Sequence, residues 1–341
     1  MSTITLYQGD CLEVLPMLPD DSVDLVLADP PYNGVKDADW DNQWASDIDY
    51  LQWLDRVLEQ FKRVLRFNGS LYLFASPQMA ARVEVLVSGR FNVLNAITWI
   101  KDNGWHKKAE QKILRAYFPQ TERIVFAEHY NSDNYAKGEA GYGCKCDELR
   151  GFVFEPLRAY LANEWERAGL TRADADKATN SFMSGHYLSQ VQWALPTREK
   201  YHQLRDYANT HNHGGDYLRR EYEDLRREYE DLRREYEDLR RPFSVTAQVP
   251  YTDVWDFATV QAYPGKHPCE KPAALLEHII AASSRPGAVV LDAFMGSGAT
   301  CMAARKLGRA CIGIDADPHW FAYAQRRLET TPEQLPLLEG A

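Results

Sequence analysis

Ala288-Val-Val-Leu-Asp-Ala-Phe-Met-Gly-Ser-Gly-Ala-Thr300 reads as a short buried strand that runs through a glycine-bearing turn straight into a helix. Gly296 and Gly298 allow a tight turn and close approach of backbone to a ligand, and the helix that follows offers unpaired N–H groups to an anion. A second strand, Ala310-Cys-Ile-Gly-Ile-Asp315, comes next and ends in an acid. That spacing suits a ribose-hydroxyl acceptor in a nucleoside-binding strand-helix-strand unit. Asp317-Pro318 then caps a further helix, whose Trp320, Phe321, Tyr323 and Leu328 read as core residues. The loop is Phe-x-Gly-x-Gly and not the Gly-x-Gly-x-x-Gly of a dinucleotide site.

A second strand-end feature lies at the opposite end of the chain. The apolar run Asp24-Leu-Val-Leu-Ala28 leads into Asp29-Pro30-Pro31-Tyr32. Proline fixes φ and removes a donor, so this tetrapeptide presents a carboxylate, a rigidly held carbonyl and an aromatic face at one strand terminus. Those parts can hold a planar, amino-bearing ring. A proline-broken turn explains the same four letters, and both readings stand open on the tetrapeptide alone.

With 341 residues and 45% hydrophobic content, the chain can bury a large core, expected as one sizeable α/β domain with an insertion or second lobe. Six cysteines, no signal peptide and no bilayer-length apolar run point to a reducing, cytoplasmic location without a membrane. Cys144 and Cys146, like His211 and His213, lack a matching second pair at zinc-site spacing, so no metal is expected. The net charge of −10 argues against a polyanionic partner, but Lys101, Lys107, Lys108, Lys112 and Arg115 cluster around Trp105 and His106. That mixture suits a surface tracking a nucleic-acid backbone, or equally a solvated helix face.

Taken together, the two strand-end motifs, Gln8-Gly9-Asp10 and Asp253-Val-Trp-Asp-Phe257 followed by Lys266-His-Pro-Cys-Glu-Lys-Pro272 resemble an amino-directed DNA methyltransferase of the permuted β class. In that family the Asp-Pro-Pro-Tyr element precedes the cofactor loop and a target recognition region lies between them, the order found here. The matched stretches span about residues 4 to 130 and 248 to 330. Ala293, Ala299 and Cys269 replace residues that are more often proline, a hydroxyl residue and threonine in the family. The resemblance implies an α/β, Rossmann-like methyltransferase fold with a mostly parallel seven-stranded sheet, a terminal antiparallel strand, circular permutation and an inserted, mainly helical target recognition region. It divides the chain into a catalytic half at 1–130, a recognition region at 131–247 and a cofactor-binding half at 248–341.

Carried over by residue, the resemblance implies that Asp29 and the Pro30 carbonyl accept the hydrogens of a flipped base's exocyclic amine. Pro31 stiffens the segment and Tyr32 stacks on the ring. S-adenosyl-L-methionine is the implied cofactor, held by Asp10, Asp29, His267, Lys271, Asp292, Phe294, Gly296, Gly298 and Asp315. Asp10 also reads as the N-cap of the Cys11–Leu18 segment, and Lys266, His267 and Lys271 as entry residues of the helix that Pro272 opens. Extruding a base costs a few kcal/mol, which aromatic stacking of about 1–3 kcal/mol offsets in part. Because aspartate heads the tetrapeptide, adenine N6 is the expected target, with cytosine N4 the alternative. A DNA-binding regulator with an inactive nucleoside pocket is the expectation from another class. Double-stranded DNA, a homodimer and a restriction endonuclease on a separate chain are the expected partners.

The loop Asn33–Trp44 is expected to cover the site, although Trp40 and Trp44 also suit anchorage to a core. In the central region, a helix is expected from Pro156 through Trp165, and Asn180–Tyr187 reads as a polar turn. Arg198, Lys200, His202 and Arg205 are candidate phosphate or base readers. Leu-Arg-Arg-Glu-Tyr-Glu-Asp then repeats from Leu218, Leu225 and Leu232, predicting a helix over 217–241 that stops before Pro242. Its Tyr222, Tyr229, Tyr236 and Leu225, Leu232, Leu239 form a heptad stripe suited to a coiled-coil partner, an arm or a dimer contact. Glu223-Arg227 and Glu230-Arg234 are the expected i,i+4 pairs.

Overall fold

The computed structural model describes residues 3–35, 39–101, 115, 117, 119–129, 148–182, 184–189, 193–211, 215–245 and 252–330. Two compact units emerge: Met1–Ser132 with Arg241–Ala341, and Asp133–Arg240. Trp105, His106, Lys107, Lys108, Lys112, Cys144, Cys146 and His213 lie outside the described residues.

The first unit opens with β1 (Ile4–Gln8), α1 (Cys11–Val14) and β2 (Val23–Ala28). It continues through α2 (Asp47–Val64), β3 (Leu65–Ala75), α3 (Ala80–Ser88), β4 (Phe91–Ile100) and β5 (Thr121–His129). Helix α2 shows how sequence dictates such an element. Ser46 caps its N-terminus by accepting from the Asp49 N–H at 3.2 Å, acids occupy the first turn and Lys62 and Arg63 the last. Tyr50, Leu54, Val57, Leu58 and Phe61 recur at helical spacing and are all buried.

The remaining elements of this unit come from the C-terminal part of the chain: β6 (Val254–Asp256), β7 (Val289–Asp292) and β8 (Ala310–Asp315), with three helices described below. The sheet order is β1-β8-β7-β2-β3-β5-β4-β6. All neighbours are parallel except β5, which runs antiparallel to both β3 and β4. The sheet is therefore α/β and mostly parallel, as expected, but two details differ. Eight strands are described where seven were expected, because Val254–Asp256 adds to the β4 edge. The antiparallel strand is internal, because β5, the next described strand, pairs back along β4 into the space beside β3.

Alternate residues of the central strands feed two cores. Val26 and Ala28 of β2, Leu71 and Leu73 of β3 and Leu291 of β7 pack with α1–α3 on one face. Leu25, Leu27, Tyr72, Phe74 and Val290 point to the other, burying against residues of Ala273–Ser283, Ala299–Lys306 and Pro318–Thr330. A strand buried on both faces reads as a continuous apolar run, which is why Val23–Ala28 carries so little polar alternation. Its one acid, Asp24, accepts the Val289 N–H at 2.7 Å and ties β2 to β7.

The second unit is helical: α4 (Glu155–Arg167), α5 (Arg172–Thr179), α6 (Gly185–Leu188), α7 (Arg198–His211) and α8 (Tyr222–Leu239). Leu157, Leu161 and Trp165 of α4 meet Tyr201, Leu204 and Ala208 of α7 and Leu225 of α8 in one core. Helix α8 starts later than the repeat predicts. Leu218 adopts φ 52° and buries in this core while its N–H bonds to Glu164 Oε2 at 2.8 Å, which holds the first repeat's leading residues out of the helix.

The heptad stripe is taken up inside this unit. Tyr229 stacks on Phe154 at 5.3 Å and packs on Trp193 at 6.1 Å, and Tyr236 lies 5.9 Å from Phe154. Burial fades along the helix, from Leu225 at 0% to Leu239 at 44% exposed. The expected i,i+4 pairs are also replaced, since Arg227 and Arg234 turn to Asp224 and Asp231 three residues earlier.

The candidate readers of α7 have local partners. Arg198 and Arg205 pair with Glu223 at 3.2 Å and Glu221 at 3.3 Å, Lys200 donates to the Thr179 carbonyl, and His202 packs edge-on to Tyr201. Among the described residues, no helix is long and apolar enough to cross a membrane, and no group of three or more His, Cys, Asp or Glu could hold a metal ion.

Candidate active site

Strands β7 and β2 are neighbours, yet the chain leaves them in opposite directions across the sheet, β7 to β8 and β2 to β3. The crevice beyond their carboxyl ends is the topological switch point at which open α/β sheets bind ligands. A cleft of about 970 Å³, counted out to its solvent mouth, opens there.

One wall carries the tetrapeptide. Asp29, Pro30, Pro31 and Tyr32 all line the cleft. Their backbone is fixed by Asp41, which is completely buried: Oδ1 accepts from the Tyr32 N–H at 2.5 Å and the Asn33 N–H at 3.0 Å, and Oδ2 from the Val35 N–H at 2.8 Å. Asn33 can therefore hold its left-handed φ of 61°. Sequence reasoning treated residues 33–44 as a cover and missed Asp41 as their anchor. The signal was one acid among several in that loop, with nothing to mark it out. The two tryptophans divide: Trp44 packs on Tyr50 and Trp53 at 5.0 and 4.7 Å, whereas Trp40 lines the cleft and stacks with His267 at 6.5 Å.

The opposite wall is the Phe294–Gly298 turn. Gly296 has φ 48°, and a Cβ there would stand 3.0 Å from the His267 ring, so both backbone and space favour glycine. The Gly296 N–H donates to Asp315 Oδ2 at 2.7 Å and the Asp317 N–H to Oδ1 at 2.9 Å, which fixes that carboxylate at the end of β8. Burial raises the Asp315 carboxyl above its ordinary range, against the lowering effect of those two donors. Asp10 lines the same end of the cleft and also caps α1, accepting from the Leu12 N–H at 2.7 Å. His267 is pushed down to about 4, chiefly by burial and then by Lys271, and is neutral at pH 7. Trp320, expected in the core, instead meets His267 edge-on at 4.4 Å and faces the cleft.

Three residues expected to touch a cofactor lie off the cleft surface. Gly298, with φ 75°, caps Ala299–Lys306, and its missing Cβ admits Ala324 of the last helix. Asp292 is 4% exposed and accepts the Phe294 N–H at 3.0 Å, so it shapes the turn from behind. Burial pushes its carboxyl up to about 7. Lys271 is 8% exposed and donates to Asp29 Oδ2 from behind the tetrapeptide wall. Pro272 next to it is the N-cap of the helix Ala273–Ser283.

Around Asp29 the charges alternate. Tyr32 donates its hydroxyl to Oδ1 at 2.7 Å, Lys271 holds Oδ2, Glu122 Oε2 lies 3.6 Å from Lys271, and Lys101 holds Glu122 Oε1 at 2.6 Å. Lys101, read from sequence with a backbone-tracking cluster, is thereby committed to this network. Burial raises the Asp29 carboxyl, while Lys271 opposes that rise and is itself kept charged by Asp29 and Glu122. The Tyr32 hydroxyl is held well above its usual range by burial and by the neighbouring Asp29. The result is a cleft with an aromatic face and a fixed carboxylate on one side, and a turn and acid suited to a nucleoside on the other.

Residues 23–326 match the model of the N6/N4 DNA methylase family. The chain belongs to that family. It is 25% identical over 329 residues to DNA adenine methyltransferase YhdJ of Escherichia coli (strain K12), covering 95% of this chain and 82% of that protein. A shorter stretch of 84 residues is 46% identical to type II methyltransferase M2.DpnII of Streptococcus pneumoniae, 24% of this chain and 31% of that one. Among solved structures, the cytosine-N4-specific PvuII DNA methyltransferase superposes with a TM-score of 0.54 at 14% identity, covering 98% of this chain and 89% of that one. That likeness is one of fold.

Proposed function

We propose that the chain methylates the N6 amine of an adenine flipped out of double-stranded DNA, with S-adenosyl-L-methionine as methyl donor and residues 131–247 choosing the sequence. The observation that carries this reading is a single cleft lined both by Asp29–Tyr32 and by Phe294, Gly296 and Asp315. The residues present fit the donor: a fixed carboxylate at the end of β8 suits ribose hydroxyls, and the turn at Gly296 brings bare backbone to the cleft. When bound, that cofactor supplies a methyl group on a sulfonium with a neutral leaving group.

The chain's own residues then have defined work. Asp29 and the Pro30 carbonyl accept the amine hydrogens, which turns the nitrogen lone pair out of conjugation and toward the methyl group. Tyr32 stacks on the ring and offsets part of the cost of extrusion. Positioning and fixed charge supply the acceleration. Adenine is favoured by the aspartate at position 29 and by the name of the Escherichia coli relative. The order of tetrapeptide, helical unit and cofactor turn supports the permuted β class. A restriction endonuclease, where one exists, would be a separate chain. A homodimer would use a surface other than the Leu225 and Tyr229 part of the heptad stripe, where Leu225 is buried and Tyr229 half-buried within one chain.

The test is incubation with S-adenosyl-L-methionine and genomic DNA, followed by mass spectrometry of the nucleosides and modification-sensitive sequencing. N6-methyladenine is expected at a defined sequence. N4-methylcytosine would overturn the choice of base, and no methylated nucleoside would favour the regulator.

A further inference from the structure

Lys271 touches no part of the cleft surface, yet it is the only described cation in contact with Asp29. Its ammonium lies between two acids from different elements, Asp29 after β2 and Glu122 on β5, and under two rings, Phe74 at 4.8 Å and Tyr32 at 5.4 Å. Glu122 is held in turn by Lys101 at 2.6 Å. Each carboxylate oxygen can accept two hydrogen bonds, and here Lys271 takes one site on Oδ2 and the Tyr32 hydroxyl one on Oδ1, which leaves a site on each oxygen in a residue that lines the cleft.

We propose that Lys271, seated by Glu122, is a positioning residue for methyl transfer: it aims the Asp29 carboxylate into the cleft as the acceptor of the target amine and keeps it in the charged form. This rests on the functional reading above. Lysine suits the place, because a point charge on a flexible stem can shift between Asp29 and Glu122 without losing a partner. As the amine takes up the cleft side of Asp29, the ammonium moves toward Glu122, and the network as a whole keeps its charge balance. Without the lysine, the site would hold two acids close together in a poorly solvated wall, and one of them would take up a proton. A protonated Asp29 presents a donor where the reaction needs an acceptor.

The charged and titratable groups facing Asp29 are Tyr32 from its own loop, Lys271 from the segment before Ala273–Ser283, Glu122 from β5, Tyr50 from α2 and Asp292 from β7. Two variants change this set in opposite directions. Lys271→Met removes the favourable cation, so the acidic limb of the kcat–pH profile should move up by about 1–3 pH units. Glu122→Gln removes a competing acid and leaves the ammonium to Asp29, so the same limb should move down. At pH 7 Lys271→Met should lower kcat by about 10²-fold, with cofactor affinity, read from tryptophan fluorescence, changed by no more than about threefold. Lys271→Arg, which keeps the charge, should restore the position of the limb.

The wild type is assayed first on duplex DNA for N6-methyladenine. Failure of the wild type to form it would overturn the functional reading and this inference with it. With an active wild type, opposite limb shifts in the two variants support the assignment. Unshifted limbs, or shifts in the same direction, would overturn it and leave Lys271 a packing residue. Should Lys271→Met not fold, the downward shift in Glu122→Gln decides alone.

Discussion

Asp41 is the buried peg on which the tetrapeptide's rear hangs, and its removal should disconnect turnover from folding. The side chain is 0% exposed and accepts three backbone N–H groups, from Tyr32, Asn33 and Val35, at 2.5, 3.0 and 2.8 Å. Hydrogen bonds to a charged group are worth about 1.5–3 kcal/mol each, but Asn33 is half-buried and Val35 exposed, so water recovers part of what those two lose. Roughly 3–4 kcal/mol of local order then depends on Asp41, enough to lower the equilibrium constant for ordering the Tyr32–Val35 backbone by more than about a hundredfold in Asp41→Ala. Asp41→Asn keeps an acceptor for Tyr32 and Asn33 and sets an amide against the Val35 N–H, a loss of about 1–3 kcal/mol. Activity should therefore fall in the order wild type, Asp41→Asn, Asp41→Ala. The loss should lie mainly in kcat on duplex DNA, with thermal unfolding and cofactor-dependent fluorescence quenching changed far less. A folded Asp41→Ala protein with kcat within about threefold of wild type would refute the reasoning, as would an Asp41→Asn loss as large as that of Asp41→Ala.

Three further outcomes are expected. Tyr32→Ala should weaken base extrusion by about 1–3 kcal/mol, read with a fluorescent base analogue at the target position, while cofactor binding stays nearly unchanged; loss of both would count against the stacking role. Asp292 keeps its proton up to about pH 7 in the folded chain and only to its ordinary 3.8 when unfolded. The folded state thus binds more protons between those values, and stability should fall as pH rises from about 4 to 7, by at most about 4 kcal/mol. Urea unfolding of Asp292→Asn across that range should lack this slope, and a slope as steep as that of the wild type would be contrary. Finally, Leu225→Ala should destabilise by about 2–5 kcal/mol and Leu239→Ala by less than about 0.5, because the first is fully buried and the second 44% exposed. Equal losses in chemical denaturation would mean that the end of α8 is covered in solution.

The parts of the fold that were legible in the sequence are those where a local pattern and a global role coincide. Val23–Ala28 and Val289–Asp292 are continuous apolar strands because both faces are covered, and each is followed by the residues that line the cleft. Gly296 was legible because a glycine between a strand and a helix marks a tight backbone turn, and it does adopt φ 48° there, close to the His267 ring. What escaped was relational. Nothing in the neighbourhood of Lys271 states that an acid 242 positions earlier is its partner, and its place in a motif suggested a cofactor contact. Asp41 is one acid in an acid-rich loop, and only the converging N–H groups single it out. The heptad pattern was read correctly as a helix with an apolar stripe, but periodicity cannot say which surface covers the stripe. Here Phe154 and Trp193 of the same unit do so.

The pairing of β2 with β7 also has a consequence for synthesis. Asp24 bonds to a backbone N–H 265 positions further on, and Asp29 meets Lys271 across 242. At about 5–20 residues per second on the ribosome, those 265 positions take roughly 13–50 s to appear. Throughout that interval the β7 side of β2, in the middle of the finished sheet, is an open edge carrying Leu25, Val26 and Leu27. The emerging chain is thus open to mispairing at the strand that leads into its reactive carboxylate.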